Sequence, residues 1–143
     1  MTEGGFQKVG HSQRCLHGPR KVLLCGFGPG AQPKFKNLLQ MLGMEDLPLV
    51  WAGDADGDEK VGALVNRDAN SGEGCVSGLP RAVIMAGITE QELHQLMSGC
   101  RQAGMRQALW AALTPSSEQW PLRQLLKELS AERDALADND PSR

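Results

Sequence analysis

Four residues recur at one fixed spacing, and this repeat restricts the possible folds more than any other feature of the chain. Val22, Gly26, Gly43 and Met44 return, each 61 positions later, as Val83, Gly87, Gly104 and Met105. In both copies an apolar run ends at the first glycine: Val22, Leu23, Leu24 and Cys25 before Gly26, then Val83, Ile84, Met85 and Ala86 before Gly87. Such a run, bounded by a turn residue, reads as a buried strand. A helical pattern follows each one, with Phe35, Leu38, Leu39 and Leu42 in the first copy and Leu93, Leu96, Met97 and Cys100 in the second. Pro33 suits a first helical turn, where its missing N–H is no loss. Thr89 and Glu92 have the spacing of a capping box, in which hydroxyl and carboxylate each satisfy a backbone donor. Gly43 and Gly104 then stop the helices, since glycine takes the left-handed conformation without a Cβ penalty. LPLVWA from Leu47 and QALWAAL from Gln107 give each copy a closing strand.

Two successive β-α-β units predict an α/β protein. The expected arrangement is a ferredoxin-like sandwich, a four-stranded sheet with two helices on one face, and a small parallel sheet is the alternative. The second face is then left to water, to a partner or to another part of the chain. Residues 117–137 offer a candidate, because Leu122, Leu125, Leu126, Leu129 and Leu136 form a one-sided stripe for a C-terminal helix, with Pro121 confined to its first turn. The predicted organisation is a single α/β domain over 21–137. Its parts are a first repeat at 21–53, a linker at 54–80, a second repeat at 81–114 and the C-terminal helix. Poorly ordered tails are expected at 1–20 and 138–143. The linker is rich in Gly, Asp, Asn and Ser; Val61, Leu64 and Val65 predict a short helix within it, and the remainder reads as a mobile loop.

A chain of 143 residues with 41% hydrophobic and 22% charged residues is long and apolar enough to bury a core without staples. Its formal net charge of -2 supplies no field to draw in nucleic acid or an anionic membrane, so neither is an expected partner. No apolar run approaches the roughly 20 residues that span a bilayer. The N-terminal residues lack the apolar core of a signal peptide, and the four cysteines form no CxxC pair. A cytoplasmic protein with reduced thiols is the expectation.

Among possible chemical sites, GFGPG comes first. Gly26, Phe27, Gly28 and Gly30 are the candidate ligand-binding residues, at a turn that leads into a helix N-terminus where a phosphate group can be held. Against this, alanine stands where the third glycine of a dinucleotide motif belongs, and no acid lies at the end of the next strand to take a ribose. The turn therefore reads first as architecture and second as a phosphate cradle. DADGDE at Asp54–Glu59 lacks the glycine and the closing acid of a calcium loop. His11, Cys15 and His17 lack a zinc-finger spacing, and no metal or cofactor is expected. His94, next to Leu93 on a helix, reads as a solvent-facing or boundary histidine and not a base, Cys25 and Cys100 look like core residues, and no catalytic triad suggests itself. Trp51 and Trp110 close equivalent strands and read as core or sheet-face packing. Trp120, before the last helix, is the candidate partner contact.

From about Pro80 to Leu136 the chain resembles a bacterial family of unknown function, DUF 3783. The resemblance rests on PRAVIMAGI, TEQEL, ALWAALTPSSEQW and LRQLLKELSAER, with KVLLCGF and VGALV similar to that family's weaker N-terminal part. Leu113, Thr114, Pro115 and Trp120 are its most distinctive residues. It implies a cytoplasmic protein of bacteria or archaea and carries no activity and no catalytic residues. The functional expectation is a small, non-enzymatic binding or regulatory module that meets a protein partner or a second copy through an edge strand or an uncovered sheet face. The alternative is a nucleotide- or phosphate-ester-binding protein using the turn at Gly26–Gly30.

Overall fold

Residues 15–105 and 108–138 are described by a computed structural model of the chain. The apolar runs form β1 (Lys21–Cys25), β2 (Leu49–Ala52), β3 (Ala82–Ala86) and β4 (Leu109–Ala112). The helices are α1 (Gln32–Met41), α2 (Val61–Val65), α3 (Glu90–Gln102) and α4 (Leu122–Asp138), with single 3-10 turns at Asp54–Asp56 and Ser117–Gln119. The capping box at Thr89 and Glu92 forms, and α4 starts immediately after Pro121, whose carbonyl accepts from the N–H groups of Gln124 and Leu125.

Each β-α-β unit closes on itself, with β1 parallel to β2 and β3 parallel to β4, and the two units meet where β1 runs antiparallel to β3. The α/β class and the strand and helix content are as the sequence predicts. The strand order, β2-β1-β3-β4, is not that of a ferredoxin-like sandwich, in which the β-α-β units are split and interleave. Nor is the sheet all parallel. β1 and β3 lie at the centre of this sheet as of the ferredoxin-like one; here each outer strand stays beside the first strand of its own unit, β2 on β1 and β4 on β3, and the linker returns along the outer edge of β2 through Asn70 and Ser71.

Alternation along the strands sends Val22, Leu24, Leu49, Trp51, Val83 and Met85 to one face, where α1 and α3 cover them with Phe35, Leu39, Leu96 and Cys100. The two helices touch closely. A Cβ on Gly99 of α3 would lie 2.6 Å from a methyl of Leu42, and the Gln95 amide donates to the Leu42 carbonyl at 2.9 Å. The opposite face presents Leu23, Cys25, Val50, Ala52, Ala82, Ile84 and Ala86, covered by Val61, Leu64 and Val65 of α2 and by Leu122, Leu125 and Leu126 of α4. This second face, left by the sequence to water, to a partner or to another part of the chain, is covered by the chain itself, with α4 and its leucine stripe docked on it beside α2.

Of the expected tails, residues 1–14 and 139–143 lie outside the described residues, as does the side chain of Leu136. Residues 15–20 are held in place. Leu16 N–H donates to Ile88 O at 2.7 Å, Gly87 N–H donates to His17 O at 3.2 Å, and the Arg20 guanidinium clamps both carboxylate oxygens of Glu92 at 2.7 Å. The Arg20 bond above all, with help from Thr89, holds the Glu92 carboxyl down at about 2.

The two recurring glycines are explained by the central junction. Gly26 and Gly87 follow the antiparallel pair β1 and β3, at φ of 75° and 64°. Each is crossed there by the segment leading into the other unit's first strand. A Cβ on Gly26 would lie 2.5 Å from Leu79 O, and one on Gly87 would lie 2.5 Å from Arg20 N. Gly26→Ala and Gly87→Ala are each expected to cost about 2 kcal/mol or more from strain and clash. Gly28→Ala, whose Cβ meets nothing within 4 Å, should change stability by less than about 0.5 kcal/mol. Urea midpoints of the three variants check this contrast.

Candidate functional site

The glycine turn is closed by the chain's own linker. Phe27 is buried, edge-to-face with Phe35 and Trp51 at centroid distances of 5.4 and 6.1 Å, and the Arg81 guanidinium lies 4.5 Å above its ring. Gly26 N–H donates to Ser77 Oγ at 3.2 Å. Gln32, buried at the start of α1, donates from its amide to Phe27 O at 3.0 Å and accepts from Gly74 N–H at 2.7 Å. Gly28 and Gly30 border open space, but the donors a phosphate needs are taken: Ala31 and Gln32 N–H both donate to Gly28 O, and Pro33 has none.

The other singled-out residues are dispersed. Trp120 is half-buried against the α2 and α4 layer, and its carbonyl accepts from Val61 N–H at 2.9 Å. His11 is outside the described residues; His17 is hydrogen-bonded to Glu118, and among the described residues no group of three or more His, Cys, Asp or Glu could hold a metal. His94 is exposed. No helix among the described residues is long and apolar enough to cross a membrane.

A different feature emerges from comparing the sheet's two edges. In parallel pairing, alternate residues of an outer strand point their backbone groups away from the sheet. On β2 these are Leu49 and Trp51, and the linker satisfies them: Asn70 N–H donates to Leu49 O at 2.6 Å and Trp51 N–H donates to Ser71 O at 2.9 Å. The linker lies so close that a Cβ on Gly72 would come within 2.0 Å of Trp51 O. The segment expected to be a mobile loop is therefore strapped along β2, and held further on by Gln32, by Ser77 and by Asp54, which accepts from Gly78 N–H at 2.8 Å.

On β4 the N–H groups of Leu109 and Leu113 turn inward to Arg81 O and Met85 O, which leaves Trp110 and Ala112 facing outward. These occupy the positions of Leu49 and Trp51, because Val22 pairs with Leu49 as Val83 pairs with Trp110. Among the described residues nothing bonds to this outer edge. β2 is buried throughout, whereas three of the four residues of β4 are only half-buried.

Grooves flank the open edge on both faces. On the α3 side a cavity of about 540 Å³ is lined by Met97, Arg101, Met105, Ala108 and Trp110. On the α4 side one of about 200 Å³ runs between Ala108, Leu109 and Trp110 and the helix residues Leu129, Glu132 and Arg133. The corresponding groove beside β2, about 490 Å³, is lined by Lys36 and Gln40 at the places of Met97 and Arg101, by Leu47 and Leu49, and by Asn70 of the linker.

Sequence reasoning named Trp110 only as packing and did not single out Met97 and Met105 as a surface. A signal was present. The 27 residues of linker follow the first unit alone, so among the described residues the β2 edge has a covering segment that the β4 edge lacks.

The cysteines are all unpaired, Cys15 and Cys75 exposed, Cys25 and Cys100 buried. Burial pushes the Cys25 thiol up to about 12, with Asp56 adding to it, and the Cys100 thiol up to about 11. Both are protonated near pH 8 and shielded, so a thiol reagent should titrate two cysteines in the native protein and all four after unfolding. Rapid native labelling of a third would contradict this placement.

Residues 81–136, which comprise β3, α3, β4 and nearly all of α4, match the family described as Domain of unknown function (DUF3783). The first unit, with KVLLCGF and VGALV, lies outside the matched segment. No curated protein and no solved structure matches the chain.

Proposed function

We propose that this chain, whose residues 81–136 belong to the DUF3783 family, is a binding module without chemistry of its own, which takes up an extended protein segment along β4. The observation that carries this reading is the difference between the two edges. Leu49 and Trp51 have backbone partners from the linker, and their equivalents Trp110 and Ala112 have none among the described residues. An open strand edge is a template for strand addition, with main-chain hydrogen bonds for affinity and flanking pockets for selectivity. The strand LWAA carries no charge, proline or bulge of the kind that protects edges from pairing.

The shared spacing of 61 positions supports reading the two units as copies of one β-α-β element, in which the first edge is closed by the linker and the second is left for a partner. Four unpaired cysteines favour a reducing compartment such as the cytoplasm. The alternative, a nucleotide or phosphate ester at Gly26–Gly30, is favoured only by the open space beside Gly28 and Gly30. It is opposed by the amides already used at the start of α1.

The test is amide hydrogen exchange of dilute protein with and without a synthetic peptide of residues 108–114, ALWAALT. The amides of Trp110 and Ala112 are expected to slow on adding the peptide, while that of Trp51, already bonded to Ser71, stays unchanged. Unaltered exchange at both edge positions at saturating peptide would refute the reading.

A further inference from the structure

We infer that the segment received by β4 is β4 of a second copy of this chain, paired antiparallel, so that two four-stranded sheets join into one of eight strands across a twofold axis. This rests on the reading of β4 as a binding edge and names its partner.

The backbone already suits it. Trp110 and Ala112 each present one donor and one acceptor outward, and with Trp110 on the twofold axis it gives to and accepts from Trp110 of the copy, while Ala112 of each chain faces Ala108 of the other. A twofold contact of this kind is self-complementary and stops at two copies. The chain contains a precedent for the geometry. Its own first strands, β1 and β3, pair antiparallel with equivalent residues on the same face, Val22 opposite Met85 against α1 and α3, and Leu23 opposite Ile84 against α2 and α4.

The grooves fit the same occupant. A twofold perpendicular to the sheet keeps each face continuous, so the copy would lay its Trp110 on the α3 side, over the groove of about 540 Å³ lined by Met97 and Met105. Its smaller Leu109 and Ala111 would fall over the groove of about 200 Å³ on the α4 side. The larger side chain meets the larger space. Methionine suits such a surface, being flexible enough to adapt to a ring laid against it.

Sedimentation velocity of the full chain over a wide concentration range tests the inference. The expected result is a shift from one chain to two as concentration rises. Ala112→Pro removes an outward donor, and proline is tolerated at such an edge position; Ala112→Lys adds a charge to the same edge without altering the backbone. Both variants should remain monomeric with unchanged far-UV circular dichroism, and the ALWAALT peptide should return the wild type to monomer. A dimer that survives both substitutions would place the contact elsewhere and overturn the inference. So would a wild type that stays monomeric at every concentration. If the peptide still slows exchange at Trp110 and Ala112 in that monomer, the binding-edge reading stands and only the choice of partner fails.

Discussion

The antiparallel pairing of β1 with β3 is the contact from which the rest of the structure follows. It joins two apolar strands, each buried on both faces, and so fixes which strands become the edges. It also brings the segment before each central strand across the glycine that ends the other, which is why Gly26 and Gly87 are both glycine and why a side chain at either would collide with backbone. Both helices of the β-α-β units then fall on one face. The apolar residues on the other face require α2 and α4 as cover.

Once the centre is set, the two edges differ only in what the chain supplies to them. The linker leaves β2 through Gly53, forms α2 beneath the sheet and returns through Asn70, Ser71 and Gly72 to bond to β2. After β4 the chain goes through the turn at Thr114 and Ser117 straight into α4, which covers the sheet face and, among the described residues, leaves the strand edge without a partner. An asymmetry in connection length thus becomes an asymmetry in exposed backbone.

Much of this was legible in the sequence. The strands ending at Gly26 and Gly87, the helix faces of Phe35 and Leu96, the short helix at Val61 and the leucine stripe of α4 follow from apolar spacing, because burial imposes a period on each element. Strand order was less legible. Periodicity identifies an element but not its neighbour: β2, at an edge, is as thoroughly buried as β1 and β3 at the centre. The linker was misread for a related reason: its Gly, Asp, Asn and Ser residues suggest a loop, yet Gln32, Asn70, Ser71 and Ser77 fasten it through hydrogen bonds that no hydrophobic pattern records. The open edge at Trp110 and Ala112 was hidden for the same reason, since it is defined by partners that a backbone lacks.

The central claim is that the β1–β3 junction makes the two units one cooperative structure. Urea unfolding followed in a single sample through the indole resonances of Trp51, in the first unit, and Trp110, in the second, tests it most directly. Coincident transitions are predicted, because separating the units would expose an apolar strand edge and two faces in each. A transition at either tryptophan while the other remains native would show that the units stand independently, and the junction would lose its place as the constraint on the rest.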